Sequence, residues 1–120
     1  MPTERIRLLV ELEIQDGKFA EFEAVAKQLV AVSEQEPGTL NFKFYLSGDS
    51  RRARLVEGYA DQAAITAHFQ GAAVQQFVPQ LLQFCTSTRL EFYGDPGPVV
   101  TSMASGLGAQ VFSAWEGFDR

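Results

Sequence analysis

Hydrophobic residues alternate at Ile6, Leu8, Val10, Leu12 and Ile14, the period of a strand with one buried face, and Gln15-Asp16-Gly17 ends the run. From Lys18 to about Glu36 the period lengthens. Phe19, Phe22, Ala26, Leu29 and Ser33, widened by Val25 and Val30, form the apolar face of a long helix that Pro37-Gly38 stops. Leu40, Phe42, Phe44 and Leu46 alternate again, Ser47 to Ser50 turns the chain, and Arg52 to Ala60 returns as the second arm of a hairpin. Asp61 caps a second helix, whose Ala64, Ile65 and Phe69 continue past a break at Gly71 into Val74, Phe77, Val78, Leu81 and Leu82. Pro79 kinks or divides that segment, and Thr86 to Tyr93 is a last strand before Gly94-Asp95-Pro96-Gly97-Pro98.

The order strand, helix, strand, strand, helix, strand is satisfied most economically by an α+β, ferredoxin-like antiparallel sheet in the order 4-1-3-2, with both helices on one face. Residues 1–94 make this domain and residues 95–120 a C-terminal extension. Within the extension, Val99 to Leu107 reads as a short helix and Ala109 to Trp115 as a fifth strand. A tail containing Phe112, Trp115 and Phe118 is expected to pack on its own sheet edge or on a partner subunit rather than stand in water.

Composition narrows the function classes. The chain has 120 residues, 46% of them hydrophobic, enough for one domain with a real core. Its net charge of −5 would repel a phosphate backbone, so nucleic acid is not an expected partner. No apolar run approaches the roughly 18 residues of a membrane span, and the N-terminus does not resemble a signal peptide, so no membrane is expected and the cytoplasm is the default location. Cys85 is alone and His68 is the sole histidine, which leaves no metal cluster to build. Neither a Gly-rich phosphate loop nor a nucleophile elbow is present.

The sheet face left uncovered by the helices is expected to carry Arg7, Leu9, Glu11 and Glu13, then Asn41, Lys43 and Tyr45, then Leu55, Glu57 and Tyr59, then Arg89, Glu91 and Tyr93. Two readings follow: a solvated face of weak cross-strand ion pairs, or a concave, half-apolar cavity closed by a second subunit.

The stretch EPGTLNFKFYLSGDSRRARLVEGYADQAAITAHFQG resembles the central signature of the antibiotic biosynthesis monooxygenase family. The likeness rests on the helix stop at Glu36, Pro37 and Gly38, the strand of Leu40, Phe42 and Phe44, Glu57 and Tyr59 on the next strand, and Asp61, Ala64 and His68 on the following helix. It covers roughly residues 4 to 93. The resemblance implies a homodimeric α/β barrel that oxidises quinols or polycyclic phenols with dioxygen and without metal, flavin or any other cofactor. A conjugated phenolate can itself pass an electron to oxygen, so the protein need supply only a base, a dry pocket and orientation.

On this resemblance, His68 is the candidate base and Glu57 its catalytic partner, Asn41 and Arg89 orient a small aromatic or quinol-like ligand, and Tyr45, Tyr59 and Tyr93 wall it. The plainer alternatives stay open. His68 can be a residue at the edge of the helix stripe making one structural hydrogen bond, Glu57 a carboxylate tied to Arg7, Arg89 or backbone donors, and the whole a non-catalytic dimeric small-molecule-binding or stress-related protein. Val78 and Pro79 stand where many members carry a second histidine beside an aromatic residue. With Val78 near the ligand position and no tryptophan before Trp115, the heme-degrading branch is not matched.

Overall fold

A computed structural model describes residues 4–120. Strand β1 (Ile6–Ile14) is followed by helix α1 (Phe19–Glu34), strands β2 (Thr39–Leu46) and β3 (Arg52–Tyr59), and helix α2 (Gln62–Gln70). A π-helical turn (Ala73–Phe77) leads into α3 (Val78–Leu82) and β4 (Cys85–Tyr93). Helix α4 (Pro98–Ala104), a 3-10 turn (Ser105–Leu107) and β5 (Gln110–Phe112) complete the chain order. Among the described residues no helix is long and apolar enough to cross a membrane.

The first four strands are antiparallel neighbours in the expected order, with β1 paired to β3 on one side and β4 on the other. Ile6, Leu8, Val10, Leu12 and Ile14 all point into the core, where they meet Phe22 and Leu29 of α1 and Ile65 and Phe69 of α2. The Asp61 carboxylate accepts a hydrogen bond from the Ala64 N–H at 2.9 Å, the N-cap expected from its position. The second helical segment breaks at Gly71, and Pro79 stands in the first turn of α3 rather than dividing it. A proline nitrogen donates no bond and its ring crowds the carbonyl four residues back; the widened turn over Ala73–Phe77, immediately upstream, accommodates both.

The face assignment of β3 needs correction. Register pairs Leu8 with Glu57 and Val10 with Leu55, so Leu55, Glu57 and Tyr59 lie on the helix side and are buried. Arg54 and Val56 take the open side instead, and Arg54 reaches Glu11 at 3.1 Å. Charge at Glu57 suggested an outward residue, but side chains two apart on a strand share a face, and Ala53 and Leu55 carry Glu57 inward with them.

The extension joins the sheet as a fifth strand shorter than the expected Ala109 to Trp115. β5 pairs with β4 in parallel, Glu91 opposite Gln110 and Tyr93 opposite Phe112, which makes the sheet mixed rather than wholly antiparallel. Parallel neighbours require a crossover of a dozen or more residues, and α4 with its 3-10 turn supplies it. Val100 and Ala104 of α4 are fully buried, and Gly108, in the left-handed region at φ +66°, turns the chain into β5. The tail beyond β5 is held to β1 through the Arg7–Asp119 ion pair but leaves its large aromatic side chains in solvent: Trp115 is 91% exposed and Phe118 79%.

Candidate functional site

The Glu36-Pro37-Gly38 stop and helix α2 are in unusually close contact. A Cβ on Gly38 would fall 2.5 Å from the Ala64 Cβ, so only glycine lets the turn approach α2 this nearly. One helical turn beyond Ala64, on the same face, stands His68. Its Nδ1 lies 2.7 Å from Glu36 Oε1, which also accepts a 2.7 Å bond from the Thr39 hydroxyl. His68 is therefore not at the edge of the helix stripe. It sits in the buried run Ile65, His68, Phe69, is 2% exposed, and packs between Phe42, Tyr59 and Phe69, with ring centroids 5.3 to 5.9 Å from its own.

The other imidazole nitrogen faces β3. Nε2 lies 3.7 Å from Glu57 Oε1, and the buried Tyr59 hydroxyl donates a very short hydrogen bond to the same oxygen. Glu57 and Tyr59 are two apart on one strand face, so the backbone holds the pair side by side. Glu57 is bonded neither to Arg7 nor to Arg89, the partners anticipated for a purely structural carboxylate. Arg7 pairs with Asp119, and Arg89 with Glu91 and Glu11.

Burial sets the protonation states. It pushes Glu57 up to about 8, against a smaller opposing pull from the Tyr59 hydrogen bond, and the nearby Glu36 raises it further. The Tyr59 phenol is raised well above its usual range by burial and by Glu57. Burial lowers His68 below its ordinary 6.5, more than the bond from Glu36 raises it. At neutral pH the cluster therefore holds a neutral imidazole beside a neutral carboxylic acid. With Nδ1–H donating to Glu36, the lone pair resides on Nε2.

Glu57 and His68 line a cavity of about 180 Å³ whose other walls are almost wholly apolar, among them Leu8, Leu29, Phe42 and Leu90. This cavity lies between sheet and helices, not on the open face where a lined space was expected. Tyr59 closes the cluster from behind. Asn41, Tyr45, Arg89 and Tyr93 occupy the opposite face of the sheet and do not line it. There the Asn41 amide donates to the Val56 carbonyl at 3.3 Å, Tyr45 lies under Lys43, and the Tyr93 hydroxyl donates to Glu91 at 2.7 Å. Among the described residues no three His, Cys, Asp or Glu side chains converge to hold a metal ion.

Sequence reasoning missed Glu36 as a site residue, treating it as helix punctuation. The available signal was its place in the same short pattern as Gly38, Ala64 and His68, whose close contact the fold now explains.

Comparisons with known proteins agree with this architecture. Among solved structures, MupZ from Pseudomonas fluorescens superposes with a TM-score of 0.82 at 18% identity, over 98% of this chain and 96% of that one. Protein SO0527 from Shewanella oneidensis gives 0.68 at 25% identity, over 76% of this chain and 90% of its own. A crystal structure of an antibiotic biosynthesis monooxygenase gives 0.68 at 17%, over 78% and 99%. No curated protein sequence matches the chain. The family model for antibiotic biosynthesis monooxygenase matches residues 5–80, the stretch that brings Glu36, Glu57, Tyr59 and His68 together, and the chain belongs to that family.

Proposed function

We propose that this protein is a cofactor-independent monooxygenase acting on a quinol or polycyclic phenol, with His68 as base and Glu57 as acid. The observation that carries the reading is a buried, neutral imidazole held at Nδ1 by Glu36, its Nε2 lone pair 3.7 Å from Glu57 in an apolar cavity. Such a base can take the hydroxyl proton of a bound phenol without competition from water. The phenolate passes one electron to dioxygen, and the resulting radical and superoxide combine at a ring carbon that bears hydrogen. Loss of that hydrogen as a proton, with cleavage of the O–O bond, leaves a carbonyl on the ring and releases the second oxygen as water. Glu57, protonated at neutral pH, supplies a proton to the departing oxygen. The imidazolium at 3.7 Å can then restore it, closing the proton cycle.

The open sheet faces of two copies pack together in this reading, giving a homodimer whose interface holds Tyr45, Arg89 and Tyr93. The family assignment and the unpaired mixed face support it. Oxygen uptake with a naphthohydroquinone, followed by mass spectrometry of products formed under labelled dioxygen, tests the chemistry. Incorporation of one labelled atom is expected. No uptake above the uncatalysed rate would replace the enzyme with a dimeric binding protein.

A further inference from the structure

The cavity has a wall that the matched family region does not supply. Residues 5–80 provide Glu57, His68 and most of the apolar lining, whereas the outer rim includes Met103 of α4 and Leu107 of the following 3-10 turn. These two side chains are 39% and 36% exposed, so each covers the cavity with one side and meets solvent with the other. Their position follows from topology. Because β5 is parallel to β4, the chain must cross one face of the sheet, and α4, packed against α2 with Val100 and Ala104 in the core, places that crossover on the helix side. Gly97 at φ +88° and Gly108 at φ +66° bound the crossover, which brings Met103 and Leu107 into the lining together with Leu82 and Thr88; Thr88 lies opposite Leu12 on β1, whereas Glu57 lies opposite Leu8 at the other end of that lining.

We propose that Met103 and Leu107 determine substrate size, restricting the site to phenols or quinols of one or two rings. The proposal rests on the function proposed above and narrows its substrate class. A cavity of about 180 Å³ is little larger than the roughly 150 Å³ apolar cavity that accommodates a single benzene, and well below the usual pocket range of about 300 Å³ and more. Along β1 the lining runs from Leu8 to Leu12, a rise of about 13 Å, so the small volume is drawn out into a slot. A flat, narrow ring system fits lengthwise with its hydroxyl at His68. A third fused ring reaches the rim, where Met103 and Leu107 stand.

Calorimetric titration with 1-naphthol and with 1-hydroxyanthracene reads ring size independently of oxidation, and oxygen uptake with the matching hydroquinones reads turnover. Wild type is expected to bind the two-ring compound at least 10-fold more tightly. Met103→Ala combined with Leu107→Ala should bring the three-ring compound to within about 3-fold of it. If binding follows this pattern but no oxygen is consumed, the size filter stands and the oxidation reading fails. Equal binding of both compounds by wild type, no binding of either, or no effect of the double variant on three-ring affinity overturns the proposal.

Discussion

Glu36 Oε1 lies 2.7 Å from His68 Nδ1, and the two residues are brought together from elements 32 positions apart. The carboxylate fixes which imidazole nitrogen carries the proton, and so which one can act as base. In Glu36→Gln the amide can turn its NH2 toward Nδ1, stabilising the tautomer with hydrogen on Nε2. Turnover should fall on the order of 100-fold, the lower part of what a general base contributes. The acid limb of the pH–rate profile should also move to lower pH, because the Glu36 bond is what raises His68 against burial. A variant with wild-type rate and an unmoved acid limb would leave Glu36 a purely structural partner.

His68 itself is best removed conservatively. The ring is 2% exposed and bonded to Glu36, so His68→Ala opens a void and strands a carboxylate, costing about 2–3 kcal/mol of stability. His68→Gln keeps most of the volume and can still donate to Glu36. It should melt within a few degrees of wild type yet consume oxygen about 100-fold more slowly. Equal rates in a folded Gln variant would move the search for the base to Glu57.

Much of this arrangement was legible in the sequence, and the remainder has identifiable causes. Alternation along β1 and the 3.6 period of α1 gave elements, order and sheet topology, because each element buries one clear face. The inward turn of Glu57 was not legible, since polarity and strand parity pointed in opposite directions and parity won. Arg52 and Arg54 carried the deciding signal, as two charges that both require the face opposite Leu55. His68 was visible as a candidate but not as a buried one, because its depth depends on the Gly38–Ala64 approach, a contact between elements that periodicity within either one cannot report. The family resemblance supplied His68 as a base and Glu57 beside it, but not Glu36, which holds the other imidazole nitrogen. The role of α4 was invisible for a related reason, since a short helix reveals nothing of the cavity it borders until the parallel pairing of β5 is known.

Burial of a protonated Glu57 predicts an unusual pH dependence of stability. Below its ordinary 4.5 the residue is protonated whether the chain is folded or not. As pH rises, the unfolded chain releases this proton while the folded one holds it to about 8, so stability falls across that interval. His68 acts in the opposite sense: its lowered folded value leaves stability intact above 6.5 and removes it as pH falls below. The two oppose one another between 4.5 and 6.5, and from 6.5 to 8 Glu57 acts alone. Urea midpoints over that upper window should drop steadily as pH rises. Glu57→Gln should flatten this dependence. A wild-type stability that does not change from pH 6.5 to 8 would show that Glu57 is already ionised in the folded protein.

Trp115 offers a reporter for assembly, being the single tryptophan and 91% exposed in the isolated chain. The tail that carries it is tied to the sheet by Arg7 and Asp119 at 2.5 Å and by Phe112 against Tyr93, with centroids 5.9 Å apart. Arg7 and Tyr93 both belong to the open face, so the tail extends that face with further aromatic surface. Exposed aromatic surface of this kind is the usual material of an interface centre. If two open faces pack together, light scattering should give twice the chain mass at micromolar concentration, and Trp115 emission should shift to longer wavelength as dilution separates the subunits. Trp115→Ala should weaken the dimer about 30-fold, equivalent to the roughly 2 kcal/mol of an aromatic hot spot. A monomer at micromolar concentration would remove the open-face interface while leaving the Glu36–His68–Glu57 cluster, which one chain completes by itself, untouched.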